Sequence, residues 1–76
     1  MRKKEFLVLL DELFEQPAGT LKGTEVLEDI GWDSIKLLEF AALVDEHLSK
    51  ELEAEPLAAC RTVPHLLELV QDRLDG

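Results

Sequence analysis

The sequence lacks the patterns that make disulfides, membrane-spanning helices, metal sites and catalytic centres. Its one cysteine, Cys60, excludes an internal disulfide and suits a reducing compartment. No apolar run is long enough to cross a membrane as a helix. Met1-Arg2-Lys3-Lys4 followed by Phe6-Leu7-Val8-Leu9-Leu10 briefly imitates a signal peptide. That run is short, closes on Asp11-Glu12 and lacks a small-residue cleavage site. A soluble, cytoplasmic, monomeric protein is the expectation. Bases are scarce too, 8 against 17 acids, for a net charge of −9. Such a surface repels phosphate backbones and anionic lipid, so neither nucleic acid nor membrane is an expected partner. Basic protein surfaces are attracted, less strongly in salt, although an acidic surface also serves plain solubility.

Groups that converge on chemistry are missing as well. His47 and His65 lie far apart with no cysteine pair or acid cluster at ligand spacing, so no metal site is expected. Asp29-Ile30-Gly31-Trp32-Asp33 faintly suggests a calcium loop, but the twelfth position from Asp29 is Phe40, where a bidentate acid is required. There is no Ser-His-Asp or Cys-His order and no glycine-rich turn between strand and helix. Cys60 reads as a small buried residue. The chain is not expected to be an enzyme. If its own side chains do no chemistry, a reactive group must be supplied.

What is present is helical periodicity. Seventy-six residues make one domain, 1–76, near the lower limit for a chain folding on a single core. Phe6, Leu9, Leu10, Leu13 and Phe14 recur at three- and four-residue spacing and predict a helix from Lys3 to about Glu15, with Asp11, Glu12 and Glu15 off its apolar face. Pro17 and Gly19 end it. A long irregular connection follows, anchored by Leu21, Val26, Leu27 and Ile30, with one short helical turn near Thr24 to Leu27. A second helix is predicted from Ser34 to about Leu48, turning Leu37, Phe40, Ala41, Val44 and Leu48 to the core. Pro56 marks a boundary, Leu57-Ala58-Ala59-Cys60 makes a short turn, and Thr62 caps a last helix with Pro64 in its first turn. The fold class is all-α: a small bundle of three main helices plus one short helical turn, with a long loop between the first and second helices.

The stretch that organises the rest is Gly31-Trp32-Asp33-Ser34-Ile35, where coil becomes the best amphipathic helix. Asp33 and Ser34 are both good caps, because their oxygens accept bonds from the free N–H groups of a first turn. A hydroxyl is thereby placed at the positive end of a helix, where phosphate is welcome. An Asp-Ser pair by itself is usually no more than a cap. Taken with what precedes it, Val26-Leu27-Glu28-Asp29-Ile30-Gly31-Trp32-Asp33-Ser34-Ile35 resembles the attachment-site signature of the acyl carrier protein family. The resemblance extends over nearly the whole chain, including the order of the helices.

The resemblance implies that Ser34 carries 4'-phosphopantetheine derived from coenzyme A, with Asp33 defining the helix start beside it. It implies a carrier of acyl or related intermediates as thioesters, in fatty acid, polyketide or other specialised biosynthesis. The implied partners are a phosphopantetheinyl transferase and loading or synthase enzymes with basic docking surfaces. Ile35, Glu39, Ala42 and Glu46 cluster on the outward side of the second helix, and the family lends them the role of partner face. Four departures from the family pattern bear on that role. Trp32 stands where a small residue is common, Lys36 where an acid is common, Ala42 where a bulkier apolar residue is, and Ser49 where glycine usually follows the helix, which predicts a run on towards Leu52. A peptidyl or aminoacyl carrier is the nearest variant. An unmodified acidic helical adaptor is the alternative from another class.

Overall fold

In the computed structural model, which describes residues 1–75, four helices pack around one core. They are α1 (Lys3–Leu13), α2 (Ser34–Leu48), α3 (Ala54–Ala58) and α4 (Val63–Val70). A 3-10 turn at Leu27–Ile30 interrupts the long connection, and another at Gln71–Arg73 follows α4. The all-α bundle is therefore as the periodicity predicts, with the long first loop that the family resemblance implies. Among the described residues no helix is long and apolar enough to cross a membrane.

The core is built from the spacings that announce it. Phe6 and Leu10 of α1, Phe40, Val44 and Leu48 of α2, Leu57 of α3, and Val63, Leu66, Leu67 and Val70 of α4 are all buried. Leu37 and Ala41 are only partly buried at its edge. Phe6 meets Phe40 edge to face at 6.0 Å, and Trp32 meets the same ring from the loop side at 5.9 Å. Edge-on contacts of this kind each contribute about 0.5–1.5 kcal/mol beyond area burial. They join α1, α2 and the end of the loop through one side chain.

Several boundaries differ from the expectation. Helix α1 stops at Leu13 instead of near Glu15, because the chain turns left-handed at Glu15 (φ 59°). The Gln16 N–H donates to the Asp11 carbonyl at 2.8 Å and the Glu15 N–H to that of Glu12 at 3.0 Å, closing the helix in a Schellman arrangement. Helix α2 stops at Leu48 and does not run on towards Leu52. Ser49 itself adopts the left-handed conformation (φ 52°) that glycine takes more easily. Pro56 lies inside the first turn of α3, not at a boundary, since an N–H there has no intrahelical partner to lose. Helix α4 begins as predicted, with Thr62 Oγ1 accepting from the His65 N–H at 3.3 Å, but tightens to 3-10 geometry before Leu74.

The largest correction concerns Asp11. It is fully buried, although the periodicity puts it off the apolar face. Its Oδ2 accepts from the Gly19 N–H at 2.9 Å and its Oδ1 from the Leu21 N–H at 2.8 Å. The loop is thus tied to α1 by a side chain, and Gly19 meets it with φ +92°, a conformation costly for other residues. Further along, Glu25 accepts from the N–H groups of Lys22, Gly23 and Thr24 at 2.8–3.0 Å. Burial pushes its carboxyl pKa up, but these bonds to the charged form prevail and hold it below the usual carboxylate range. Val26 then pairs with Thr62 in an isolated antiparallel bridge, flanked by Leu27 N–H to Arg61 carbonyl at 3.0 Å and Val63 N–H to Glu25 carbonyl at 2.9 Å.

Replacing Asp11 by alanine orphans two loop N–H groups and should lower stability by about 1–3 kcal/mol. In urea titrations this appears as an earlier midpoint, with faster hydrogen exchange at Gly19 and Leu21 than at Val44. An unchanged midpoint and unchanged exchange would show that the loop holds itself.

Candidate functional site

The site is the turn from Gly31 into α2. Gly31 ends the 3-10 segment in the left-handed region (φ +84°) and reverses the chain. The Trp32 N–H donates back to the Leu27 carbonyl at 3.2 Å, while its ring, half-buried, lies 6.2 Å from Phe14 and edge-on to Phe40. Asp33 is extended (φ −148°) and is the N-cap of α2, its Oδ1 accepting from the Lys36 N–H at 2.8 Å. Of the two candidate caps, then, Asp33 takes the role. Ser34, as the first helical residue, is left exposed.

This geometry suits a phosphate ester. The first intrahelical bond runs from the Leu37 N–H to the Asp33 carbonyl at 2.9 Å, and the cap takes the Lys36 N–H. The N–H groups of Ser34 and Ile35 remain at the open end of the helix, adding to the partial positive charge there. Ser34 is exposed beside them.

Lys36 stands beside the outward acidic strip as expected, pairing with Glu39, and makes a second contact that the sequence does not show. Its side chain is only 23% exposed and turns inward, with Nζ donating to the Leu13 carbonyl at 2.9 Å and lying 3.7 Å from Glu39 Oε1. A cation at the last carbonyl of α1 satisfies an orphan acceptor and complements the helix dipole. It also fastens the end of α1 to the start of α2.

The outward face of α2 carries Ile35, Glu39, Ala42 and Glu46, all exposed. Leu38, which sequence reasoning missed, lies on the same face and is 68% exposed, beside Ile35 at 65%. Its spacing, three residues after Ile35 and four before Ala42, is the signal that finds it. Val26, 44% exposed, adds apolar surface from the loop. His47 and His65 sit exposed on different helices, His65 Nδ1 accepting from the Arg61 N–H at 3.1 Å. Cys60 is buried, and burial raises its thiol pKa, with Glu68 adding to the effect.

Comparison with known proteins agrees with this arrangement. The family described as "Phosphopantetheine attachment site" matches residues 5–70. The chain belongs to that family. Its cofactor is therefore the covalently attached 4'-phosphopantetheine, and the protein is a carrier of that group and not an enzyme. An acyl carrier protein from Saccharopolyspora erythraea is 25% identical over 77 aligned positions, covering 95% of this chain and 81% of the relative. No solved structure matches the carrier.

The joint between α1 and α2 can be tested by stability. Asp33→Ala should cost about 1 kcal/mol through loss of the cap. Lys36→Met should cost about 1 kcal/mol through the lost contact at Leu13, the charged bond being discounted for partial exposure. Thermal or urea unfolding reads both, and a neutral Lys36→Met would show that the contact does not hold the joint.

Proposed function

We propose that Ser34 is the attachment residue and that the protein carries acyl or related intermediates as thioesters, delivering them to separate enzymes of a specialised lipid, polyketide or related cytoplasmic pathway. The observation that carries this reading is the exposed Ser34 hydroxyl at the first position of α2, with the cap taken by its neighbour. When bound, the arm supplies an accessible thiol to hold the cargo, whereas the chain's own thiol, at Cys60, is buried. The chain's own residues present, orient and dock it.

Attachment needs a phosphopantetheinyl transferase. Ser34 Oγ gives up its proton and bonds to phosphorus, and the adenosine bisphosphate part of coenzyme A leaves. The transferase and the synthase enzymes would meet the outward face of α2. Ile35 and Leu38 offer desolvable apolar surface, and Glu39 and Glu46 offer charge to basic surfaces. Ala42 between them keeps the strip low, so that a partner can approach closely. Charges of this kind chiefly set the encounter rate and its salt dependence. The similarity to an acyl carrier protein supports an acyl cargo over an aminoacyl one.

Intact-mass analysis after incubation with coenzyme A and a broad-specificity phosphopantetheinyl transferase should show one added phosphopantetheinyl group, abolished by Ser34→Ala. A folded Ser34→Ala variant that still gains the mass would move attachment elsewhere. For the docking face, Glu46→Lys should slow transfer by the partner enzymes and flatten its salt dependence without loss of helicity. Equal kinetics for wild type and variant across ionic strength would remove Glu46 from the interface.

A further inference from the structure

Cations without a partner gather at one end of this acidic molecule. Lys36, Lys50 and Arg73 each pair with a carboxylate. Arg2, Lys3, Lys4 and Lys22 are all exposed and form no ion pair among the described residues. The first three sit at the start of α1, where the helix dipole disfavours positive charge, so their placement does not serve the helix. Most acids nearby are engaged. Glu5 accepts from the Arg2 N–H at 3.2 Å, Asp75 pairs with the Met1 ammonium at 3.3 Å, and Asp11 and Glu25 are held by loop N–H groups. Glu68 is exposed beside them. Two clefts open between these cations, of about 580 and 410 Å³. Lys3 rims the larger, which is lined by buried Leu67 and half-buried Leu74. Lys4 and Lys22 rim the smaller, with half-buried Leu7 and Val8 inside it. Leu7 also packs beside Gly23 of the larger cleft, so the two adjoin. The large apolar side chains that stand exposed, Val26, Ile35 and Leu38, line neither cleft. This end therefore receives apolar side chains and has none to insert into a planar lipid surface.

We propose that this lysine-rimmed end docks the outward face of α2 of a second copy of the chain, head to tail. The complement is carried by the molecule itself. Ile35 and Leu38 stand one turn apart and protrude, with Glu39 and Glu46 further along the same face. Concave apolar surface ringed by cations thus meets convex apolar surface followed by acids. The lengths agree as well. At 1.5 Å per residue, Ile35 to Glu46 covers about 16 Å and Lys3 to Asp11 about 12 Å. The two faces share no residue, so the contact is heterologous. The net charge of −9 on each copy opposes association. That repulsion is screened beyond about 8 Å at physiological salt. The molecule is 26 Å in its longest extent, so acids at its far side count for little and the facing charges set the balance. A contact this small belongs to the weak, transient class. The contact does not rest on the reading of Ser34. Where partner enzymes meet the same face, as proposed above, a docked second copy covers it as the carrier becomes concentrated.

The experiment uses the unmodified full chain, so its outcome is separate from attachment at Ser34. Sedimentation equilibrium from micromolar to millimolar concentration should show a rising average mass. Backbone amide shifts of Lys3, Lys4 and Leu7 and of Ile35, Leu38 and Glu39 should move together with concentration, while that of buried Leu57 stays. Lys3→Glu combined with Lys4→Glu, both exposed changes, should weaken self-association about tenfold, and Glu46→Lys should weaken it several-fold. Mixing the two variants should restore a one-to-one complex, which a folding defect would not do. A constant monomer mass with amide shifts that ignore concentration would overturn the proposal. So would self-association that neither variant changes. If vesicles containing phosphatidylserine move the Lys3, Lys4 and Leu7 signals and concentration does not, the occupant is a lipid surface and the second copy is overturned.

Discussion

The buried carboxylate of Asp11 is the constraint on which the presentation of Ser34 depends. In so small a domain, a connection as long as residues 14–33 has backbone groups that must be satisfied and ends that must be held. Its aliphatic anchors alone would leave the loop free to slide, since apolar contact has no direction. Two N–H groups bonded to one fixed carboxylate remove that freedom at Gly19 and Leu21. The bridge between Val26 and Thr62 removes it again nearer the site. What reaches Gly31 is therefore a chain whose position is already fixed on both α1 and α4. A buried carboxylate is costly unless each oxygen finds donors, and here each does.

The start of α2 poses an electrostatic conflict. A phosphate on Ser34 would stand beside the Asp33 carboxylate, which repels it. Asp33 is exposed, and in water two unit charges at 4 Å interact by only about 1 kcal/mol, less once salt screens them. Against that, the cap contributes about 1 kcal/mol to helix stability, and the helix end attracts the phosphate by about 0.3–1 kcal/mol. The balance favours keeping the cap, because without it the N–H groups that attract the phosphate would lose their fixed direction. The carboxylate also points its Oδ1 at the Lys36 N–H, which places part of its charge on a donor and not on the neighbouring ester.

Much of this was legible in the sequence because it rests on period. The helices, their core faces, the Thr62 cap and the exposed hydroxyl follow from spacing and capping chemistry. What spacing could not disclose was pairing across distance. Asp11 looks solvent-facing on a helical wheel, and only the returning loop turns its position into an interior one. Lys36 reads as a dilution of an acidic strip, and it does pair with Glu39, but only the end of α1 beneath it reveals its bond to the Leu13 carbonyl. Leu38 was overlooked for a different reason. Helical phase alone would have placed it outward, next to Ile35, but an apolar residue invites assignment to the core. Ser49 ended α2 against expectation because a left-handed residue there costs roughly 1–2 kcal/mol when it is not glycine, an amount the packing of Leu48 and Leu52 can offset.

One helix has to meet demands that pull in different directions. The face of α2 that holds it in the bundle, through Phe40, Val44 and Leu48, also fixes the angle at which Ile35, Leu38, Glu39, Ala42 and Glu46 look outward. Because the two faces share one backbone, the strip cannot turn without disturbing the core. A cavity-forming change at Phe40 would therefore disturb the outward face too, although no outward side chain had been altered. The same coupling reaches the turn before Ser34, since Phe40 also supports Trp32. The rigidity of the outward surface is thus a property of the interior. On the proposed reading, in which partner enzymes meet this face, a fixed strip beside the attached arm divides the work between recognition and reach.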